Sequence, residues 1–157
     1  MSGARGGNKS HRLAGIGCHE ITPESEIAHP LFLQDEMIRG YQDLKVWQRS
    51  MALVEDSYRL TGTFPKHELY GLTSQVRRAA VSVAANIAEG HGREHLGDYL
   101  HSLSIANGSL MELETHIQIG GRMKYLSAEA VKAFLQKTGE VGRMLAGLTR
   151  ALKRRAA

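Results

Sequence analysis

Leu69-Tyr-Gly-Leu-Thr-Ser-Gln-Val-Arg-Arg-Ala-Ala-Val-Ser-Val-Ala-Ala-Asn-Ile-Ala-Glu-Gly90 contains no proline and is rich in residues that cost a helix little conformational freedom. Leu69, Leu72, Val76, Ala80, Val83 and Ile87 recur every three or four positions, which places them on one side of an α-helix. A second, weaker apolar surface is made by Tyr70, Val81, Ala84, Ala85 and Ala88. A helix apolar on two sides calls for two partners. One is the chain's own core; the other is expected to be a second copy, with those five residues at the contact and small side chains allowing close approach.

Upstream, Leu44, Trp47, Met51, Val54 and Tyr58 predict a first helix over residues 41–60, ended by Thr61 and Gly62, with Pro65 suited to the first turn of helix two. Downstream, Gly90 and Gly92 break the pattern. Leu96, Tyr99, Leu103, Ala106, Leu110, Leu113 and Ile117 then predict helix three, with Gly120 and Gly121 marking its frayed end or a kink. Ser127 reads as the N-cap of helix four, Glu129 complements the helix dipole, and Val131, Phe134, Leu135, Val141, Leu145, Leu148 and Leu152 form the stripe. Four such helices with short loops predict an all-α, antiparallel up-and-down four-helix bundle over residues 39–153, followed by a basic tail at 154–157. Residues 1–38 lack a sustained period and read as a disordered leader. Met37, just before the first patterned residue, is the expected translation start.

The 157-residue chain is 42% hydrophobic and 23% charged, with three prolines and no apolar run long enough to span a bilayer. A single cysteine, Cys18, cannot form an internal disulfide, and the glycine-rich polar start does not resemble a signal peptide, so a cytoplasmic location is expected. Residues after position 40 hold sixteen bases against eleven acids, a net +5. Mild basicity permits contact with a polyanion without requiring it.

Tyr41-Gln-Asp-Leu-Lys-Val-Trp-Gln, the stretch from Phe64 through Val83, Ala85-Asn-Ile-Ala-Glu-Gly and Gly108-Ser-Leu-Met-Glu-Leu-Glu-Thr occur in an order and register that resemble the 23S rRNA intervening-sequence protein family, over residues 41–153. The resemblance implies a bacterial up-and-down bundle, met as a homopentamer, with no established enzymatic activity. It also implies a relation to the accessory variability determinant of diversity-generating retroelements, a basic pentamer that binds RNA and a reverse transcriptase. Ala84 stands where members often carry proline, so helix two is expected to be less kinked. The leader is longer than the family's, which agrees with a start at Met37.

The candidate nucleic-acid contacts are Arg77 and Arg78 on helix two and, above all, Arg143, Arg150, Lys153, Arg154 and Arg155, because no acid follows Val141. Trp47 and Phe134 both fall on core stripes, so contact with RNA is expected to be electrostatic and sequence-tolerant. Asn86, Asn107 and Glu114 lie on or beside apolar stripes and are expected to be partnered, the asparagines between helices and Glu114 by Arg77 or Arg93. His91 with His95, and Glu112 with His116, have the spacing of metal-ligand pairs. The paired Glu-x-x-His motifs of di-iron bundles are missing, and neither a metal, a cofactor nor catalysis is expected. Two functions fit these features: an oligomeric bundle that binds RNA or a nucleoprotein through basic helix ends, and an assembly subunit without nucleic acid. No membrane partner is expected.

Overall fold

The computed structural model describes residues 39–155. The expectations for the leader and for a start at Met37 lie outside them. Four helices account for most of these residues: α1 (Lys45–Thr61), α2 (Leu72–His91), α3 (Leu96–Arg122) and α4 (Ala128–Arg155). Short 3-10 turns at Tyr41–Asp43 and Lys66–Glu68 precede α1 and α2. Each helix packs on the next and α4 returns to α1, which closes an antiparallel four-helix bundle. No helix among the described residues is long and apolar enough to cross a membrane.

Apart from Leu69, which precedes α2 and is 50% exposed, the stripes expected for α2 and α3 form the centre of the core. Val76, Ala80, Val83 and Ile87 face Leu103, Ala106, Leu110, Leu113 and Ile117, and all nine are buried. Burying side chains of the leucine and isoleucine size stabilises by about 2 kcal/mol each. Thus the four periodic turns of α2 and α3 supply the main drive for folding. Phe134, Val141 and Leu145 close the bundle from α4.

In α1 the buried side is rotated from the expected one. Val46, Ser50, Leu53, Ser57 and Thr61 are buried, whereas Met51 and Tyr58 are exposed and Trp47 and Val54 half-buried. The serines escaped a count of apolar residues because their polarity is cancelled locally. Ser50 Oγ donates to the Val46 carbonyl, Ser57 Oγ to Leu53 and Thr61 Oγ1 to Ser57, each at 2.7 Å. A hydroxyl satisfied by its own helix can enter a core. Asp56, also buried, receives Lys137 from α4 and Arg59 at 2.9 Å. With the Arg49–Glu140 pair at 3.2 Å, it ties α1 to α4.

Gly92 caps α2 as expected, but Gly90, Gly120 and Gly121, also expected to break helices, lie within them. Gly90 is the penultimate residue of α2, and a Cβ there would sit 2.7 Å from Tyr99 Cδ2 and 2.9 Å from Ser102 Cβ. Gly120 and Gly121 continue α3 without fraying, their missing Cβ positions filled by Phe64 (3.1 Å) and Val131 (2.8 Å). Close helix approach, not chain reversal, is what these positions need. The chain instead leaves α3 at Lys124, whose φ of 61° is left-handed. There the Tyr125 N–H donates to the Gly120 carbonyl and the Lys124 N–H to Gly121, the double bond pattern of a Schellman cap. Lysine at that position is strained, so Lys124→Gly is expected to raise stability by about 1 kcal/mol in chemical denaturation.

The start of α2 is pinned by Glu68. Its carboxylate accepts the Leu72 N–H at 2.9 Å and the Tyr125 hydroxyl at 3.1 Å, linking the α1–α2 connection to the α3–α4 turn. The Leu72 bond holds the Glu68 carboxyl below its usual range, followed in effect by Tyr125 and His67 against some desolvation. A depressed folded-state value means that this stabilisation is complete above the ordinary glutamate range and is lost as pH falls through the folded-state value. Melting temperatures should therefore separate wild type from Glu68→Gln at neutral pH, and the gap should close under acid conditions. An equal gap at both would remove the carboxylate from this role.

Candidate functional site

The basic residues expected to contact nucleic acid fall into two regions. At the C-terminal end, Arg143, Arg150, Lys153, Arg154 and Arg155 are all exposed, and the ion pairs among the described residues involve none of them. Arg154 and Arg155 are not a separate tail but continue α4. The Arg49–Glu140 pair fixes the level of α1 beside α4. From there α4 runs on for about 20 Å at 1.5 Å per residue, while only about 6 Å separates Arg49 from the first residue of α1. The last turns of α4 therefore lie beyond α1 and pack on α3. Between them runs a groove of about 440 Å³ in which Arg150 and Lys153 stand beside Ser104, Asn107 and Thr149, over an apolar floor of Leu103 and Leu145. Cations beside neutral hydrogen-bonding groups suit phosphodiester oxygens.

Asn107 is exposed in this groove rather than bonded between helices. Its position opposite the α4 cations gave no signal in a one-helix pattern, since the groove is made by two chain segments forty residues apart. Asn86 donates to the Ser82 carbonyl (2.8 Å) and Oγ (3.1 Å) of its own helix, and Ser82 reaches across to Ser109 Oγ at 2.8 Å. Asn86 is thus joined to α3 through Ser82. Neither expected arginine pairs with Glu114. Arg93 takes Glu89, and Arg77 is held elsewhere.

The second region covers the outer side of α2 where it meets the end of α1. Arg77 Nε donates to Thr61 Oγ1 at 2.9 Å, and its guanidinium lies 4.6 Å from the centre of the Tyr58 ring. Arg78 beside it is exposed. Tyr70 is 91% exposed and joins Tyr58, Leu69 and Val81 in lining a groove of about 650 Å³ that contains both arginines. Aromatic side chains therefore do stand beside cations, although Tyr58 was expected on the core stripe of helix one and Tyr70 at a contact between copies. Tyr58 was placed on the wrong side of α1 by the rotation described above.

Of the five residues expected at a contact between copies, Tyr70, Val81 and Ala85 are exposed and Ala88 is half-buried. Ala84 is buried by its own chain, at 4% exposure, so the expectation is corrected there. Its methyl faces the bundle at the edge of the α2 core stripe, so the second surface is narrower than the helical wheel implied.

Among the described residues, no three His, Cys, Asp or Glu side chains gather where they could hold a metal ion. His91 packs edge-on against Tyr99, with ring centres 6.1 Å apart, and His116 Nδ1 is buried without a hydrogen-bond partner.

The comparisons agree with this architecture. A crystal structure of a protein of unknown function from the S23 ribosomal protein family of Bacteroides thetaiotaomicron superposes with a TM-score of 0.62 at 20% identity, covering 66% of this chain and 97% of that one. At that identity the likeness concerns the fold. No curated protein matches the sequence. The sequence model of the 23S rRNA-intervening sequence protein family matches residues 42–147, from the 3-10 turn before α1 to the third quarter of α4. With that match spanning most of the bundle, the chain belongs to the 23S rRNA-intervening sequence protein family.

Proposed function

We propose that this chain is a bacterial cytoplasmic protein that acts by binding rather than by catalysis: it assembles with copies of itself and holds RNA along the basic end of the α3–α4 hairpin. The observation that carries the RNA assignment is the groove in which Arg150 and Lys153, in no ion pair among the described residues, stand beside Ser104, Asn107 and Thr149. Arg154 and Arg155 continue the same helix outward, and repetition in an oligomer multiplies the charge. The five-membered ring is the assembly implied by the family resemblance.

Contact of this kind reads phosphates and not bases, so affinity should depend steeply on salt and little on sequence. The test is a fluorescence titration of labelled single-stranded and hairpin RNAs at about 50 and 200 mM salt. Binding at the lower salt, weakened at the higher for every sequence, is expected. Absence of binding at the lower salt, or binding indifferent to salt, overturns the RNA assignment.

A second reading, an assembly subunit without nucleic acid, is favoured by the exposed Tyr58, Leu69, Tyr70 and Val81, which suit a protein contact better than a solvated face. An oligomer that ignores RNA at low salt would select it.

A further inference from the structure

The outer side of α3 carries a second unpartnered surface. Ile105, Met111 and Ile119 are 43%, 45% and 40% exposed, spaced over four helical turns. In their midst lies Gly108, where a Cβ would meet nothing within 4 Å. Glycine inside a helix is destabilising relative to alanine. At Gly90, Gly120 and Gly121 the chain's own side chains account for it, whereas at Gly108 nothing among the described residues does. Gly97 and Gly147 are open too, but neither lies among exposed large apolar side chains. The exposed Glu112, one turn beyond Gly108, takes part in no ion pair among the described residues.

The groove on α2 has the complementary features. Its aromatic walls are Tyr58 and Tyr70, Val81 is apolar and exposed, and Arg77 and Arg78 have no carboxylate among those ion pairs. Arg77 is already oriented by Thr61 and the Tyr58 ring, so its unused N–H groups are pre-positioned for an acid. We propose that this groove is the socket for α3 of a second copy of the chain, which enters with Ile105, Gly108 and Met111 against Tyr58, Tyr70 and Val81 and with Glu112 against Arg77 and Arg78. This rests on the assembly reading above and supplies the contact that such an assembly needs. Socket and ridge are separate patches on different helices, so a copy that gives its ridge to one neighbour keeps its socket for the next, and such a head-to-tail contact propagates until a ring closes. Gly108 is then the point at which the backbone of α3 approaches the neighbouring subunit.

The test is mass by light scattering at micromolar concentration, with helix content followed by circular dichroism. Wild type is expected to be a defined oligomer. Arg78→Glu and Glu112→Arg place like charges together and should each weaken association at least about 10-fold. The double variant carrying Arg78→Glu and Glu112→Arg together should restore assembly, because every copy then offers its neighbour a matched socket and ridge. Gly108→Leu should dissociate the oligomer while leaving helix content unchanged, since the site is open within the chain. A monomeric wild type would overturn the assembly reading and this interface with it. An oligomer whose mass is unaffected by Arg78→Glu and Gly108→Leu would overturn the interface alone. Loss of RNA capture by Arg78→Glu without loss of assembly would assign the groove to RNA instead.

Discussion

Gly90→Leu is expected to lower stability by about 3 kcal/mol, which for a domain of this size is a fall in melting temperature of roughly 10–15 °C. The missing Cβ is where Tyr99 and Ser102 of α3 press against α2, at separations real Cβ atoms do not tolerate. Tyr99 is itself half-buried, with its phenol pushed above its ordinary range by burial, so it cannot simply swing into solvent without exposing the end of the core. The two helices must separate, and α2 with α3 makes the most extensive helix pair of the bundle. The neighbouring Gly92 provides the contrast. Its φ is −81°, and the nearest atom to an added Cβ is the Glu89 carbonyl at 3.5 Å. Gly92→Ala should be neutral or stabilising by about 0.5 kcal/mol, through reduced freedom of the unfolded chain. Thermal melts of the two variants check the difference. Equal effects would mean that α2 and α3 do not approach through Gly90.

The largest functional effect is expected from Arg150→Ala, Lys153→Ala, Arg154→Ala and Arg155→Ala combined. If those four cations each displace a counterion from single-stranded RNA, the logarithm of affinity falls with the logarithm of salt at a slope of about −3. Wild type should then bind roughly 50-fold more weakly at 200 mM than at 50 mM salt. The variant should lose most of the low-salt affinity, on the order of 100-fold, and its slope should flatten towards zero. Alanine is the best helix former, so α4 itself should persist, less a few tenths to 1 kcal/mol for each cation lost near the negative end of the helix dipole. Retained affinity with an unchanged slope would move the RNA contact away from α4. The groove on α2, with Arg77 and Arg78, would be the next cationic surface to test.

Much of the bundle was legible because α2 and α3 use the side chains that a 3.6-residue period is designed to detect. Val76, Val83, Ile87, Leu103, Leu110, Leu113 and Ile117 are apolar, large and buried where the spacing put them. In α1 the buried side lies one position away from the apolar stripe, because half of it consists of Ser50, Ser57 and Thr61, whose hydroxyls bond to their own helix. The cations at the end of α4 were visible as a run without acids. The groove they share with Ser104 and Asn107 was not, because it joins residues from two helices that no local pattern relates.

By itself, then, the sequence determined the helical class, the number of helices, the core faces of α2 and α3 and the basic end of α4, all of which depend on local periodicity and charge. Only the tertiary structure decided which small residues mark close approach, as at Gly90 and Gly121, which lie open, as at Gly108, and which of the second-surface residues are already covered, as at Ala84. The physical reason is that glycine and alanine have the same local signature whether another helix, a second copy or water lies beyond them. What occupies that space is a property of the packed helices and not of the segment that carries the residue.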